Sequence, residues 1–143
     1  MANEETQNIH NVIARFANSF DSKDWDSLRD CLADMIYTDY TDLRGTPPET
    51  VSVDAYVASR QESLKNLTTH HLSGNYEIQH TDSQQATCRA SMIIWRKSGE
   101  AQFTTHCIYI FRLRRLQTGW KISGITQKVL WNEGNPAIHK VTK

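Results

Sequence analysis

Four segments in the second half of the chain alternate apolar and polar residues with a period of two, and only short polar stretches separate them. This pattern predicts β-strands, which we place at about 71–80, 84–97, 101–115 and 120–130. The intervening stretches are rich in Asp, Ser, Thr, Gln and Gly, which are typical turn residues. Because such short connections cannot return the chain to a parallel neighbour, consecutive strands are expected to pair antiparallel as a meander.

The first half of the chain has helical periodicity instead. Apolar residues recur at helical spacing from Ile9 to Phe20, and a second short helix is expected to follow, with Ser22 or Asp24 as its N-cap. The inward-facing residues of this second helix are expected to be Trp25, Leu28 and Leu32. A third helix is expected from about Ser52.

Between the second and third helices, segment 35–42 has the composition of a strand, whereas segment 44–48 contains two prolines and is expected to be a loop. Helices followed by a meander predict an α+β fold with the helices on one face of the sheet. A chain of 143 residues is long enough for one domain and too short for two, so we expect a single domain over 1–143 with its core at about 8–134. A bent sheet with helices across its concave side leaves a conical cavity, which is a usual place for a small molecule.

Composition argues against several other classes of partner. Lys plus Arg and Asp plus Glu both number 16, and a protein without surplus positive charge is a poor ligand for nucleic acid. No apolar run approaches the length of about 20 residues that spans a bilayer, and the first residues lack the pattern of a signal peptide, so no membrane partner is expected. Cys31, Cys88 and Cys107 are odd in number and widely spaced, as in a cytoplasmic protein with reduced, buried thiols.

Asp21 and Tyr40 are the first polar residues that could carry chemistry. Asp21 follows the first apolar stripe and could either begin a turn and cap the next helix or serve a site, and the sequence alone favours capping. Tyr40, on the first predicted strand, could donate a hydrogen bond to a carbonyl oxygen and stabilise an enolate, or simply pack.

Histidines and one arginine follow on the predicted sheet. His70 and His71 precede a strand and His106 lies within another, and an imidazole directed into a cavity is a natural general acid or base. Arg96 ends a strand and could be either solvated or a clamp for an anion or a carbonyl oxygen. The chain has no HxH or HExxH spacing and no GxSxG, P-loop or GxGxxG motif, so no metal or nucleotide cofactor is expected.

The order of elements and several local strings resemble the scytalone dehydratase group of the SnoaL-like, nuclear-transport-factor-2-like superfamily. The resemblance covers roughly residues 8–134. The matching strings are FDSKDWD at 20–26, LR at 28–29, DY at 39–40, THHL at 69–72 with Gly74, GWKI at 119–122 and LW at 130–131.

The resemblance implies a cone of helices on a curved, mixed and mainly antiparallel sheet. It also implies removal of water from a cyclic β-hydroxy ketone of a polyketide pathway, without cofactor or metal. Asp21, Tyr40 and His71 match the family's polar residues. Two positions depart: Phe20 stands where the family has a first tyrosine, and Arg96 stands where it has a second histidine.

Together these observations give a hypothesis of a cofactor-free lyase or isomerase acting on a cyclic ketone. His71 would move the proton, and Tyr40 would stabilise the enolate. Asp21 would orient either His71 or Arg96. Arg96 would hold a substrate oxygen. The expected substrate-binding residues are Phe20, His106, Ile108, Tyr109 and Trp131.

Two alternatives remain for the role of the fold. The same cone could bind a ligand without catalysis or direct a cyclisation by its shape, because one fold serves many functions. The protein could also be a protein–protein module that uses the exposed face of the sheet. Separately, the convex face could bury against another copy in a dimer or trimer, with Trp95, Phe103 and Phe111 as contact candidates.

Overall fold

The first helix, α1 (Ala2–Ser22), carries the predicted apolar stripe, as seen in the computed structural model, which describes residues 2–139. It ends in a Schellman-type cap: Lys23 adopts a left-handed conformation with φ 54°, and the Asp24 N–H donates to the Ser19 carbonyl at 2.9 Å. The next helix, α2 (Trp25–Asp30), has Asp24 as its N-cap, with the carboxylate accepting from the Ser27 N–H at 3.1 Å. Of the two predicted N-caps, Asp24 is therefore the one used.

The segment between α2 and the meander is more regular than predicted. Strand β1 (Leu32–Asp39) begins at Leu32, which was expected in the preceding helix. A single-turn helix, α3 (Thr41–Arg44), ends at Gly45 with φ 71°, and a short strand, β2 (Glu49–Ser52), follows and pairs antiparallel with β1. The predicted loop is thus reduced to residues 45–48.

The third predicted helix begins as expected. Ser52 is the N-cap of α4 (Val53–Leu64), and its hydroxyl accepts from the Ala55 N–H at 3.1 Å. Because α3 precedes it, α4 is the fourth helix before the meander rather than the third.

The predicted meander is confirmed. Its strands are β3 (Thr68–Asp82), β4 (Gln85–Ser98), β5 (Ala101–Leu116) and β6 (Gly119–Gly134). They pair antiparallel in succession, and β1 adds to β6 in parallel, giving the order β2-β1-β6-β5-β4-β3. The result is the mixed, mainly antiparallel sheet of an α+β fold, as the resemblance implied.

One apolar core lies between the helices and the inner face of the sheet. The ring of Phe16 on α1 meets those of Phe20, Tyr109 and Phe111 edge to face, at centroid distances of 5.0, 6.4 and 5.4 Å. Full burial of a phenylalanine contributes about 1.5–3 kcal/mol, so this aromatic contact is a main attachment of α1 to the sheet.

The three cysteines pack in the same core. Cys31, Cys88 and Cys107 are buried and free, as predicted. Burial raises the pKa of each thiol to about 11, so all three stay protonated near neutral pH and are poor nucleophiles.

The outer face of the sheet differs from the prediction in two residues. Phe103 and Phe111 point inward and are buried, because they share the face of Tyr109 on β5. Trp95 does lie on the outer face, where it is 38% exposed and stacks on His70 at 5.5 Å. Phe103 and Phe111 are therefore not available for contact with another copy.

Candidate active site

Asp21 and His71 form a hydrogen-bonded pair between the last turn of α1 and strand β3. One carboxylate oxygen of Asp21 lies 2.7 Å from Nδ1 of His71 and accepts from the Thr69 hydroxyl at 3.0 Å, and the other accepts from the His71 N–H at 2.8 Å. Thr69 and His71 are two positions apart on one strand and so face α1 together. Asp21 caps no helix, and the capping interpretation that the sequence favoured is wrong.

The pairing fixes the tautomer of the imidazole. An ionised carboxylate can only accept hydrogen bonds, so Nδ1 of His71 carries the proton. In a neutral imidazole with this tautomer, Nε2 holds the free lone pair that a general base requires. The side chain of His71 is only 7% exposed and that of Asp21 is 19% exposed, so bulk water reaches this pair poorly.

His71 opens onto a hollow between the helices and the sheet, with a free volume of about 30 Å³, room for a single water molecule. Of the residues predicted to be catalytic, the structure brings Tyr40, His71 and Arg96 together in this hollow, and Asp21 joins them through His71. The lining comprises Phe20, Tyr40, Leu43, Arg44, Arg60, Leu64, Thr69, His71, Ile94, Arg96, Tyr109, Gln127 and His139.

Phe20 supplies an apolar wall beside the imidazole. Its ring stacks on that of His71 with centroids 5.1 Å apart and planes inclined by 21°. The ring therefore restricts the orientation of His71 from one side while Asp21 fixes it from the other.

Tyr40 lies just after β1 rather than within it and is the N-cap of α3. Its hydroxyl is 2.8 Å from that of Tyr56 on α4, and either can donate. Burial raises the pKa of Tyr56 well above its usual value, with the neighbouring Tyr40 adding to the effect, so that hydroxyl stays protonated. The pair can therefore donate one hydrogen bond into the hollow.

Arg60 and Arg44 surround the tyrosine pair and were not predicted. The guanidinium carbon of Arg60 lies 4.7 Å from the ring centre of Tyr40 and 4.4 Å from the ring centre of Tyr56. Tyr56 precedes Arg60 by one helical turn on α4. Arg44 lies on α3, and its guanidinium carbon is 5.2 Å from the ring centre of Tyr40.

Arg96 is a buried member of the hollow and not the end of a solvated strand. It is 4% exposed and donates to the Thr105 hydroxyl at 2.8 Å and weakly to the Phe103 carbonyl at 3.5 Å. It does not pair with Asp21, which forms its hydrogen bonds with Thr69 and His71. Burial lowers the pKa of Arg96 to about 10, so the side chain remains charged at neutral pH.

Gln127 and His139 complete the lining, and neither was predicted. The Gln127 amide donates to the Tyr109 hydroxyl at 3.3 Å, while its oxygen has no hydrogen-bond partner among residues 2–139. His139 follows a 3₁₀ helix (Pro136–Ile138) and lies outside the core expected from the sequence. Burial, together with the positive charges of Arg96, Arg44 and Arg60, lowers the pKa of His139 to about 3, so it is neutral at pH 7.

Three predicted substrate-binding residues lie on the opposite face of the sheet. His106 stacks on Trp131 with centroids 4.1 Å apart, and its Nε2 is 3.6 Å from a Glu133 carboxylate oxygen. Ile108 is two positions from His106 on β5 and so shares its outward face, whereas Tyr109 points into the hollow. His106, Ile108 and Trp131 therefore do not line this hollow, contrary to the prediction.

In the part of the chain that the structure describes, no group of three or more His, Cys, Asp or Glu side chains is arranged to hold a metal ion. Within the same residues, no helix is long and apolar enough to cross a membrane.

Helices over a curved mixed sheet, with a polar hollow between them, define a protein of the nuclear-transport-factor-2-like class. Comparison with known proteins agrees, since residues 2–126 match the SnoaL-like domain. The chain belongs to the SnoaL-like family.

Two relatives carry names of the dehydratase type. The scytalone dehydratase-like protein claB of Passalora fulva is 26% identical over 144 residues, covering 92% of this chain and 89% of the relative. A dehydratase of Pestalotiopsis microspora is 30% identical over 132 residues, covering 84% and 83%. These relatives and the fold indicate a SnoaL-like protein of the dehydratase or isomerase type.

A solved structure supports the fold. The Kfla4162 protein of Kribbella flavida superimposes with a TM-score of 0.92 at 23% sequence identity, covering 97% of this chain and 99% of that one.

Proposed function

We propose that this protein is a cofactor-independent dehydratase or isomerase that acts on a cyclic, polyketide-type hydroxy-ketone in the hollow. The observation that carries the proposal is the Asp21–His71 pair, whose imidazole lines a small hollow that also contains Tyr40. The relatives named as dehydratases support the same class of reaction.

The proposed dehydration proceeds through an enolate. Nε2 of His71 takes the proton from the carbon next to the substrate carbonyl, and the electron pair of that C–H bond forms the enolate. The hydroxyl of Tyr40, directly or through a water, donates a hydrogen bond to the developing oxyanion. Collapse of the enolate then expels the β-hydroxyl, which leaves as water with the proton that His71 carried.

An isomerase would use the same first step. In that case His71 returns its proton to a different carbon of the enolate and no bond to oxygen breaks. Positioned acid–base catalysis of either kind contributes about 10²–10⁴-fold. The remaining acceleration would come from the oxyanion contact and from exclusion of water.

Substrate entry requires the hollow to widen, since about 30 Å³ cannot hold a ring. The lining residues on the shortest elements are Leu43 and Arg44, on the single-turn helix α3, and His139, which follows the 3₁₀ helix. A second cavity of about 220 Å³ adjoins the hollow and shares Tyr40, Arg44 and Arg60 with it. Displacement of Arg44 would join the two spaces into a site large enough for a small ring system.

A non-catalytic binder or a shape-directed cyclase is the second candidate, and two residues favour it. Phe20 has no hydroxyl to offer a carbonyl, and Arg96 cannot act as a base near neutral pH. The two candidates differ in their dependence on the imidazole of His71. Acid–base turnover needs a proton acceptor at this position, whereas turnover directed by shape alone does not.

The direct test is an assay with a β-hydroxytetralone, whose dehydration gives a naphthol that is detected by its fluorescence. Formation of the naphthol by the native chain, and its loss in His71→Ala, is the expected result. Equal rates in the native and His71→Ala proteins would exclude the mechanism.

We also propose that the protein self-associates, as a dimer or trimer, through the outer face of the sheet. Leu72, Ile93, His106 and Trp131 are cross-strand neighbours in one row of this face, and Leu72 and Trp131 are more than half exposed. Light scattering after size exclusion should give a multiple of the chain mass of 16.4 kDa, and Trp131→Glu should reduce it. A native protein of single-chain mass would refute this part.

A further inference from the structure

Three arginines line the hollow without a carboxylate to balance them. Arg44, Arg60 and Arg96 all contribute to its wall, and no Asp or Glu among residues 2–139 does; the one carboxylate in the lining of the adjoining cavity, Glu49, belongs to an exposed residue. Asp21 lies behind His71, where its hydrogen bonds go to Thr69 and His71. None of the ion pairs within this part of the chain involves Arg44, Arg60 or Arg96.

The groups that do contact these guanidiniums are neutral. Arg60, which is 7% exposed, lies against the rings of Tyr40 and Tyr56, and Arg96 donates to a threonine hydroxyl and a backbone carbonyl. Nε of Arg44 is buried and has no hydrogen-bond partner within the described residues. Removing a cation from water without an opposite charge is costly, so an anion placed here would offset a cost that the fold already carries.

The chemistry of the proposed reaction does not account for so much positive charge. An enolate develops one negative charge, on the oxygen next to Tyr40, whereas the wall holds three guanidiniums. A guanidinium presents its N–H groups as a fixed fork that fits both oxygens of a carboxylate, which a lysine cannot do.

We propose that the substrate carries a carboxylate, and that Arg44, Arg60 and Arg96 bind it beside the reacting ring. The substrate class is thus a cyclic hydroxy-ketone acid. The ketone of this substrate rests on the proposed function, whereas its carboxylate is inferred from the arginines alone. The lowered pKa of His139, which these same arginines face, agrees with a positive field in the hollow.

The test compares ligands that differ only in charge. A hydroxynaphthoate and its methyl ester are titrated calorimetrically against the native chain at neutral pH, where the acid is ionised. The acid is expected to bind at least about tenfold more tightly than the ester, as charge-assisted bonds to buried guanidiniums imply. Equal binding of the two would overturn the proposal. Tighter binding of a naphthyl phosphate than of the naphthoate would overturn the assignment of the anion as a carboxylate.

Variants show whether the arginines are responsible. Arg44→Gln, Arg60→Gln and Arg96→Gln are each expected to reduce the preference for the acid, while Arg114→Gln, an exposed arginine on β5, leaves it unchanged. Circular dichroism during heating identifies any variant that does not fold. Arg44 is only partly buried on a short helix, so its variant keeps the test available if the two deeper arginines prove necessary for folding. An acid preference that survives Arg44→Gln in full would contradict the proposal.

A parallel assay separates this inference from the proposed function. A carboxylated β-hydroxytetralone and its methyl ester are offered to the native chain. Turnover of the ester as fast as the acid, with equal binding, would refute the acid site and leave the dehydratase proposal standing. Arginine-dependent binding of the acid without turnover of either compound would refute the dehydratase proposal and support the acid site.

Discussion

Nδ1 of His71 lies 2.7 Å from a carboxylate oxygen of Asp21, although the two residues are 50 positions apart in the chain. The other oxygen of the same carboxylate holds the backbone N–H of His71 at 2.8 Å. Asp21 therefore fixes both the ring and the strand that carries it, and a single side chain joins the end of α1 to β3. Such support from a neighbouring residue is what a precisely placed base requires.

Replacing His71 by alanine should lower turnover of a β-hydroxytetralone at least about tenfold, because the proposed base is lost. The naphthol assay measures this directly. His70→Ala is the matched control, since His70 is the adjacent histidine, lies on the outer face and stacks on Trp95. A His70→Ala protein as impaired as His71→Ala would point to general damage to β3 rather than to loss of a base.

The change Asp21→Asn should lower kcat while leaving KM nearly unchanged, because Asp21 positions His71 without lining the hollow. It should also destabilise the fold by about 1–3 kcal/mol, the usual effect of disturbing hydrogen bonds to a charged group. Urea denaturation measures the second effect. If KM rises with kcat unaltered, Asp21 contributes to binding and not to orientation.

Removing the Tyr40 hydroxyl, as Tyr40→Phe, should reduce turnover at least about tenfold through loss of the oxyanion contact. The matched control is Tyr56→Phe, which removes the hydroxyl 2.8 Å away that lines only the adjoining cavity. Its effect on rate should be smaller. Steady-state kinetics of the two variants, measured side by side, test this assignment. A larger loss of rate in Tyr56→Phe than in Tyr40→Phe would show that Tyr40 is not the hydrogen-bond donor to the oxyanion.

Stability should depend on pH through His139. Its pKa is lowered to about 3 in the folded chain, mainly by burial, against 6.5 for an unperturbed histidine. Below pH 6.5 the unfolded chain therefore binds a proton that the folded chain does not, so this contribution to stability is complete above pH 6.5 and is lost as the pH falls toward 3.

The measurement is the free energy of unfolding in urea at about pH 7 and about pH 4. The native protein should lose more stability between the two than His139→Gln does. Identical pH dependence in both proteins would mean that His139 does not titrate in this way.

Local patterns in the sequence account for much of the fold. The period-two segments gave the meander because each strand pairs with its sequence neighbour, and Ser52 marked the start of α4 because a hydroxyl cap acts within one turn. The parallel pairing of β1 with β6 joins strands about 90 positions apart, and no local periodicity encodes it. The elements α3 and β2, of four residues each, are too short to show a period.

The sequence indicates the site residues that stand out singly, but not those whose role depends on packing between distant elements. Residue type and the family resemblance identified four candidates: Asp21, Tyr40, His71 and Arg96. Arg60 was not identified, because in the sequence it is one of several polar residues on a helix. Its contact with Tyr40 forms only when α4 packs beside that residue. The error at β5 was one of strand geometry. Ile108 and Tyr109 are consecutive, and consecutive residues of a regular strand face opposite sides of the sheet. Only one of them can therefore line the hollow, although both were predicted to do so.

The small volume of the hollow has a consequence for ligand discovery. If a ring compound binds only to the fraction of molecules in which Arg44 and His139 have withdrawn, its apparent dissociation constant is larger than the intrinsic one by the inverse of that fraction. Shortening a side chain that closes the hollow could then tighten the binding of a neutral ring even though it removes a contact. Screening libraries docked rigidly into this closed conformation would reject ring compounds on size alone, true substrates included.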